Sequence, residues 1–241
     1  RARELLGDDG VVGGTAGLPG LHHLTDLFDG RLEAATYFAM DHDHLLDAYE
    51  AKMRESIVAL VDRLLAARPD YVQLSASGML TLSTPAMVRR LSLPTLQAVT
   101  RLCRQADIPC ELHCCGKQAW IVELCVNETE LDSINPLQPP PMGDCDLADI
   151  KRRFGDRICL KGNVGVTEPM LLGTSADVER DVFRCIDAAK ASGGYILFTE
   201  EQLGRDTPYE NMHTMVRVAR EHGAYCPPGK ATEHHRRKDD T

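Results

Sequence analysis

Glu111-Leu112-His113-Cys114-Cys115-Gly116 is the segment from which the fold can be read. It closes an apolar run, residues 109–115, with the length and composition of a buried strand. Side chains alternate across a strand, so Glu111, His113 and Cys115 share one face and Cys110, Leu112 and Cys114 the other. Gly116 lets the backbone turn sharply out of the strand. A helical stretch, residues 119–126, follows at once. Further strands are expected at residues 11–15, 71–75, 131–135, 158–162 and 195–199, each followed by helical sequence. The helices are expected at 44–67, 85–107, 146–154, 175–191 and 210–222. Within the first, Leu45, Tyr49, Met53, Ile57 and Leu60 recur at helical spacing. Ser175 reads as the cap of its helix, with an acidic first turn, and Gly193-Gly194 stop the chain before the last strand.

Strands alternating with helices define an α/β protein with a parallel sheet. Length alone would suit a full eight-stranded barrel of ~250 residues, but only six strands are found, which suits an open doubly wound sheet or part of a barrel. No GxGxxG or P-loop pattern follows any strand, which counts against a nucleotide-binding sheet. The 241 residues are 43% hydrophobic, enough for one large core. A net charge of −9 argues against a nucleic-acid or anionic-membrane partner. No stretch approaches the roughly 20 apolar residues of a membrane span, and residues 1–10 hold no signal-peptide core. Nine cysteines at irregular spacing make a poor disulfide framework. A cytoplasmic location, with thiols free to bind metal, is the expectation.

An imidazole and a thiolate two residues apart at a strand end can converge on one ion, and zinc takes nitrogen and sulfur ligands. Alone, the His-x-Cys pair is also what a packed core with a hydrogen-bonded histidine produces. Glu111 lies one pleat lower on the same face, placed to hydrogen-bond a ligand or a neighbouring strand. Asn135 and Asn163 end strands, where barrel enzymes place substrate contacts and where turns also favour asparagine. His22-His23, His42 and His44 read as surface histidines, and Cys103, Cys125, Cys159 and Cys185 as core packing. Residues 226–241, with Pro-Pro-Gly, a charged run and His234-His235, read as a mobile tail.

Other short pieces stand in a telling order. They are Ser83-Thr84-Pro85 with Leu93-Pro94, His113-Cys114-Cys115-Gly116, Asn135-Pro136-Leu137, Gly143-Asp144, the string LADIKRRFG from Leu147 to Gly155, Gly162-Asn163-Val164, and Thr207-Pro208-Tyr209-Glu210-Asn211. As a set they resemble the uroporphyrinogen decarboxylase superfamily, which includes the cobalamin-linked methyltransferases. The resemblance implies a TIM barrel in which residues 1–225 supply strands three to eight, with about the first two strands missing. Its HxCG motif is similar to that of the methyltransferase branch, where the His and Cys are zinc ligands, here His113 and Cys115. That branch supplies a third ligand, a Cys shortly before TPxEN; this chain has Glu201 there. Glu can ligate zinc through oxygen. Glu200 is expected on the opposite face, and joins Glu111, Asn135 and Asn163 as a candidate substrate contact.

The implied activity passes a methyl group between a corrinoid cofactor, carried by a partner protein, and a small thiol or methylated substrate. A carboxylate in place of a thiolate hardens the ion, which favours a methyl ether or methylamine donor. Two other readings stay open: a porphyrinogen decarboxylase, which needs no metal, and a degenerate barrel that binds without turnover. With two strands missing, each flanking strand lacks a neighbour, so the chain is expected to be marginal or self-associating.

Overall fold

The computed structural model describes residues 2–225; the tail from 226 to 241, with His234 and His235, lies outside the described residues. Six strands form one sheet: β1 (Gly13–Gly17), β2 (Tyr71–Ser75), β3 (Cys110–His113), β4 (Ser133–Asn135), β5 (Cys159–Val164) and β6 (Tyr195–Thr199). Their order in space is their order in sequence, and every pair is parallel. Parallel neighbours need crossover connections, and helices supply them. The helices are α1 (Ala2–Leu6), α2 (Leu21–Leu24), α3 (Leu32–Asp41), α4 (Leu46–Ala66), α5 (Pro85–Leu91), α6 (Leu93–Gln105), α7 (Ala119–Glu128), α8 (Leu147–Phe154), α9 (Ser175–Ala189) and α10 (Tyr209–His222). This is a TIM-barrel-type α/β fold with six strands, where a complete barrel has eight. Among the described residues, β1 and β6 each pair on one side only.

The main core lies between the sheet and its helices. Val72, Leu74, Cys110, Leu112, Ile134 and Leu160 point outward from the strands and are wholly buried against the helix layer. The other face of the strands carries polar groups, as Gln73, Glu111 and Lys161 show. A second, smaller cluster around Leu21, Leu24, Ala35, Leu46 and Leu91 packs α2 and α3 against α4 and α5. No helix among the described residues is long and apolar enough to cross a membrane.

Several local expectations need correction. The helix expected over 85–107 is two, broken at Ser92. Pro94 has no N–H to donate, and its ring would crowd the carbonyl four residues back in a continuous helix. Ser92 instead donates its hydroxyl to Pro19 O at 2.6 Å, tying the break to the loop after β1. Thr174, not Ser175, caps α9, and it forms a capping box with Asp177. β1 begins two residues later than expected, and Val11 is 69% exposed. Short helices α1, α2 and α3 stand where no element was expected.

Candidate metal centre

The site is built where β3 leaves the sheet. His113 is the last residue of the strand, and Cys115 follows after Cys114 has turned outward into the core, fully buried. The alternation therefore persists past the end of the ladder. Gly116 then takes a left-handed φ of 91°, and a Cβ there would collide with the Thr81 hydroxyl. Only glycine fits this turn without strain. Thr81 Oγ1 accepts from Lys117 N at 2.9 Å, and Gln138 Oε1 accepts from Gly116 N at 2.5 Å. Gln118, wholly buried, donates to Asn135 O and accepts from Leu137 N. The loops after β2, β3 and β4 are thus cross-braced under the site.

The structure brings His113, Cys115 and Glu201 together: one donor atom from each lies within 4.8 Å of the others. Glu201 comes from the segment after β6, three strands away from β3. In a flat sheet, strands three apart are separated by about 14 Å. The sheet must curl for these groups to meet, as a barrel wall does. Glu200 N bonds Val164 O, extending the β5–β6 ladder by a step. Its side chain turns the other way and accepts from Val166 N at 3.1 Å. Burial pushes the Glu200 carboxyl up, partly offset by that N–H.

Cys115 Sγ lies 3.1 Å from His113 Nε2, and Ser77 donates to the sulfur at 3.5 Å. Burial, and then the hydrogen bond to Glu201, push the Cys115 thiol up to about 12. A thiolate beside a carboxylate in a half-buried site is electrostatically costly without a cation between them. Nitrogen, sulfur and oxygen donors from three half-buried side chains match the ligand types zinc accepts. The donor set therefore fits the ion.

The other candidates fall elsewhere. Asn135 is 1% exposed, and its Oδ1 lies 2.6 Å from His113 Nδ1. Asn163 is equally buried; its Nδ2 donates to Leu137 O, while Arg184 donates to its carbonyl and Oδ1. Glu111 accepts from Lys161, Gln73 and Ser133 rather than touching His113. Lys161 also sits 4.6 Å from the centre of the Phe198 ring. Lys161 was not singled out in the sequence, although a lysine in the middle of the β5 run is a signal: a buried charge needs a partner. Asn163 and Glu200 line a groove of about 960 Å³ with Asp144, Asp181, Arg184 and Pro140, and none of the three clustered donors reaches it. His42 and His44 are exposed as expected, and Cys103, Cys125 and Cys185 are buried; Cys159 is only partly so. His22 departs from expectation. It is 8% exposed, and burial holds its ring down to about 4, with His23 adding to the effect.

Fold and geometry together define a barrel-type α/β domain with a candidate metal centre at the carboxyl ends of its strands, where such folds place their active sites. The chain belongs to the uroporphyrinogen decarboxylase (URO-D) family, whose sequence profile matches residues 30–222. No curated protein matches it in sequence. Among solved structures, a methyltransferase from Methanosarcina mazei is similar at a TM-score of 0.71 and 19% identity. That match covers 92% of this chain and 62% of the methyltransferase, and at such identity it speaks for the fold alone. An HpcH/HpaI aldolase from Desulfitobacterium hafniense is similar at a TM-score of 0.41 and 12% identity, over 92% of this chain and 78% of that one. At that TM-score it adds nothing to the argument.

Proposed function

We propose that this chain carries the zinc site of a methyltransferase, with His113 Nε2, Cys115 Sγ and a Glu201 carboxylate oxygen as ligands. The single observation behind this reading is the convergence of those three donors from β3 and β6 within 4.8 Å. A bound zinc ion supplies Lewis acidity: it lowers the pKa of a coordinated thiol or polarises an oxygen or nitrogen next to a methyl group. Three protein ligands leave a fourth position for a substrate atom, as catalytic zinc sites do. Cys115 and His113 hold the ion on the strand end, while Glu201 closes the site from the far side of the sheet.

The methyl group passes between a corrinoid carried by a partner protein and a small thiol or methylated substrate, in the cytoplasm. Family membership is shared with decarboxylases; the clustered His, Cys and Glu donors and the likeness in fold to a methyltransferase are what support this branch. Glu201 in place of a third thiolate makes the ion harder and turns the site toward a methyl ether or methylamine donor. In the same reading, Asn163 and Glu200 line a neighbouring groove that the three ligands do not reach, and Glu111 is taken up by Lys161, Gln73 and Ser133.

Two measurements test the proposal on the purified chain. Metal analysis after dialysis against micromolar zinc should find one ion per chain, falling to background in the Cys115→Ala variant. Incubation with methylcobalamin and candidate thiols should bleach the methyl-corrinoid spectrum in a zinc-dependent manner. Equal zinc in the wild type and in Cys115→Ala would overturn the reading. A chain without zinc that decarboxylates a porphyrinogen would establish the rival activity.

A further inference from the structure

The pair His113 and Asn135 faces across β3 and β4 as register partners. His113 Nδ1 lies 2.6 Å from Asn135 Oδ1, and the other ring nitrogen, Nε2, faces Cys115 Sγ. An imidazole with one proton has a donor on one nitrogen and an acceptor on the other. An amide oxygen only accepts, so Nδ1 must carry the proton and Nε2 keeps its lone pair toward Cys115 and Glu201. Asn135 is buried to 1% exposure, and its backbone is pinned by Gln118. Its Nδ2 has no hydrogen-bond partner among the described residues. A buried amide with one arm on the histidine and the other unpaired is not explained by turn formation.

We propose that Asn135 is a positioning residue: its side-chain oxygen locks His113 in the Nδ1–H tautomer, so that Nε2 is presented to a metal ion with Cys115 and Glu201. This inference deepens the proposed zinc site and rests on it. Rotating the amide by half a turn would put Nδ2 against Nδ1 and force the proton onto Nε2, where it would block ligation. The orientation of one amide thus sets whether the site can take an ion. Histidine ligands commonly gain their orientation from a partner on the far nitrogen, and losing such a partner costs about 10- to 100-fold in metal affinity.

The test uses Asn135→Ala and Asn135→Asp in the full chain, with His113→Ala as the reference for a lost ligand. Long-range proton–nitrogen NMR on the metal-free wild type should show His113 as the Nδ1–H tautomer, and Asn135→Ala should show a mixture. Zinc competition against a chromophoric chelator should show affinity reduced about 10- to 100-fold in Asn135→Ala. Asn135→Asp keeps an acceptor at the same place and should retain affinity within a few fold. An Nε2–H tautomer in the wild type would overturn the inference. So would unchanged zinc affinity in Asn135→Ala alongside a clear loss in His113→Ala. If the wild type and His113→Ala bind zinc equally poorly, the metal reading fails, and the tautomer measurement still decides the role of Asn135.

Discussion

Lys161 Nζ lies 3.0 Å and 3.3 Å from the two carboxylate oxygens of Glu111, an ion pair that spans β4 from β5 to β3. Both groups are largely withdrawn from water, at 15% and 6% side-chain exposure. Gln73 and Ser133 complete the shell of Glu111, so its acceptor sites are filled from three strands. Removing one partner strands a buried charge, which costs about 3 to 5 kcal/mol, whereas replacing both with apolar groups is often near neutral. Lys161→Met should therefore lower stability by about 3 kcal/mol, seen as a shift in urea midpoint at constant m-value. The double variant Lys161→Met with Glu111→Leu should recover much of that loss. If Lys161→Met unfolds at the wild-type midpoint, the pair does not brace the sheet.

In the proposed zinc site, Glu201 is the ligand whose identity would set the character of the ion. Glu201→Gln removes the charge while preserving shape, and should weaken zinc at least tenfold. Glu201→Cys restores a sulfur donor, and should bind zinc more tightly than the wild type. Cobalt substitution reads the donors directly, because thiolate-to-cobalt charge transfer gives near-ultraviolet absorption. That band should roughly double from wild type to Glu201→Cys and vanish in Cys115→Ala. An unchanged band in Glu201→Cys would place residue 201 outside the coordination sphere.

His22 gives the fold a pH dependence of known sign. Its ring is held down to about 4, first by burial and then by His23, against an ordinary value of 6.5. Its Nε2 is 3.0 Å from Leu18 O, and its Nδ1 has no hydrogen-bond partner among the described residues. The unfolded chain therefore binds a proton that the folded chain refuses between those two values. Stability from this residue is fully present above pH 6.5 and declines as pH falls toward 4, by on the order of 3 kcal/mol. Urea melts at pH 7 and pH 5 should show that decline, and His22→Gln should flatten it. A slope unchanged by the substitution would assign the pH dependence to other groups.

Strand existence was legible because each apolar run is local: β2 and β6 begin and end where their sequences predict. The inward aim of His113 and Cys115 was legible for the same reason, since alternation is a property of neighbours in the chain. What escaped depends on distant partners. Asn135 meets His113 only through the β3–β4 register, and Lys161 meets Glu111 across 50 residues of sequence. His22 looked exposed because no local pattern shows that α2 packs beneath Leu91 and Leu46. The helix α3 was missed because its apolar residues serve that small second cluster rather than the main core. Glu201 was located through its distance from Thr207-Pro208, a family spacing, and periodicity alone would not have chosen it over Glu200.

The edges of the sheet carry the last prediction. Among the described residues, β1 and β6 each have a strand neighbour on one side only, and on β6 the Tyr225 hydroxyl takes up the outer N–H and carbonyl of Tyr195 alone. Ile196 on β6 is 48% exposed, so an apolar side chain accompanies that open edge. Unpaired edges with apolar flanks template pairing with another chain. The 241-residue polypeptide should therefore self-associate, with a sedimentation coefficient that rises over micromolar concentrations. A lysine placed inward on an edge strand disfavours such pairing, because the pairing would bury its charge. Ile196→Lys should shift the population toward monomer while leaving the melting temperature within a few degrees. Monomeric sedimentation of the wild type at all concentrations, with a cooperative melt, would show that the open edges are tolerated without a partner.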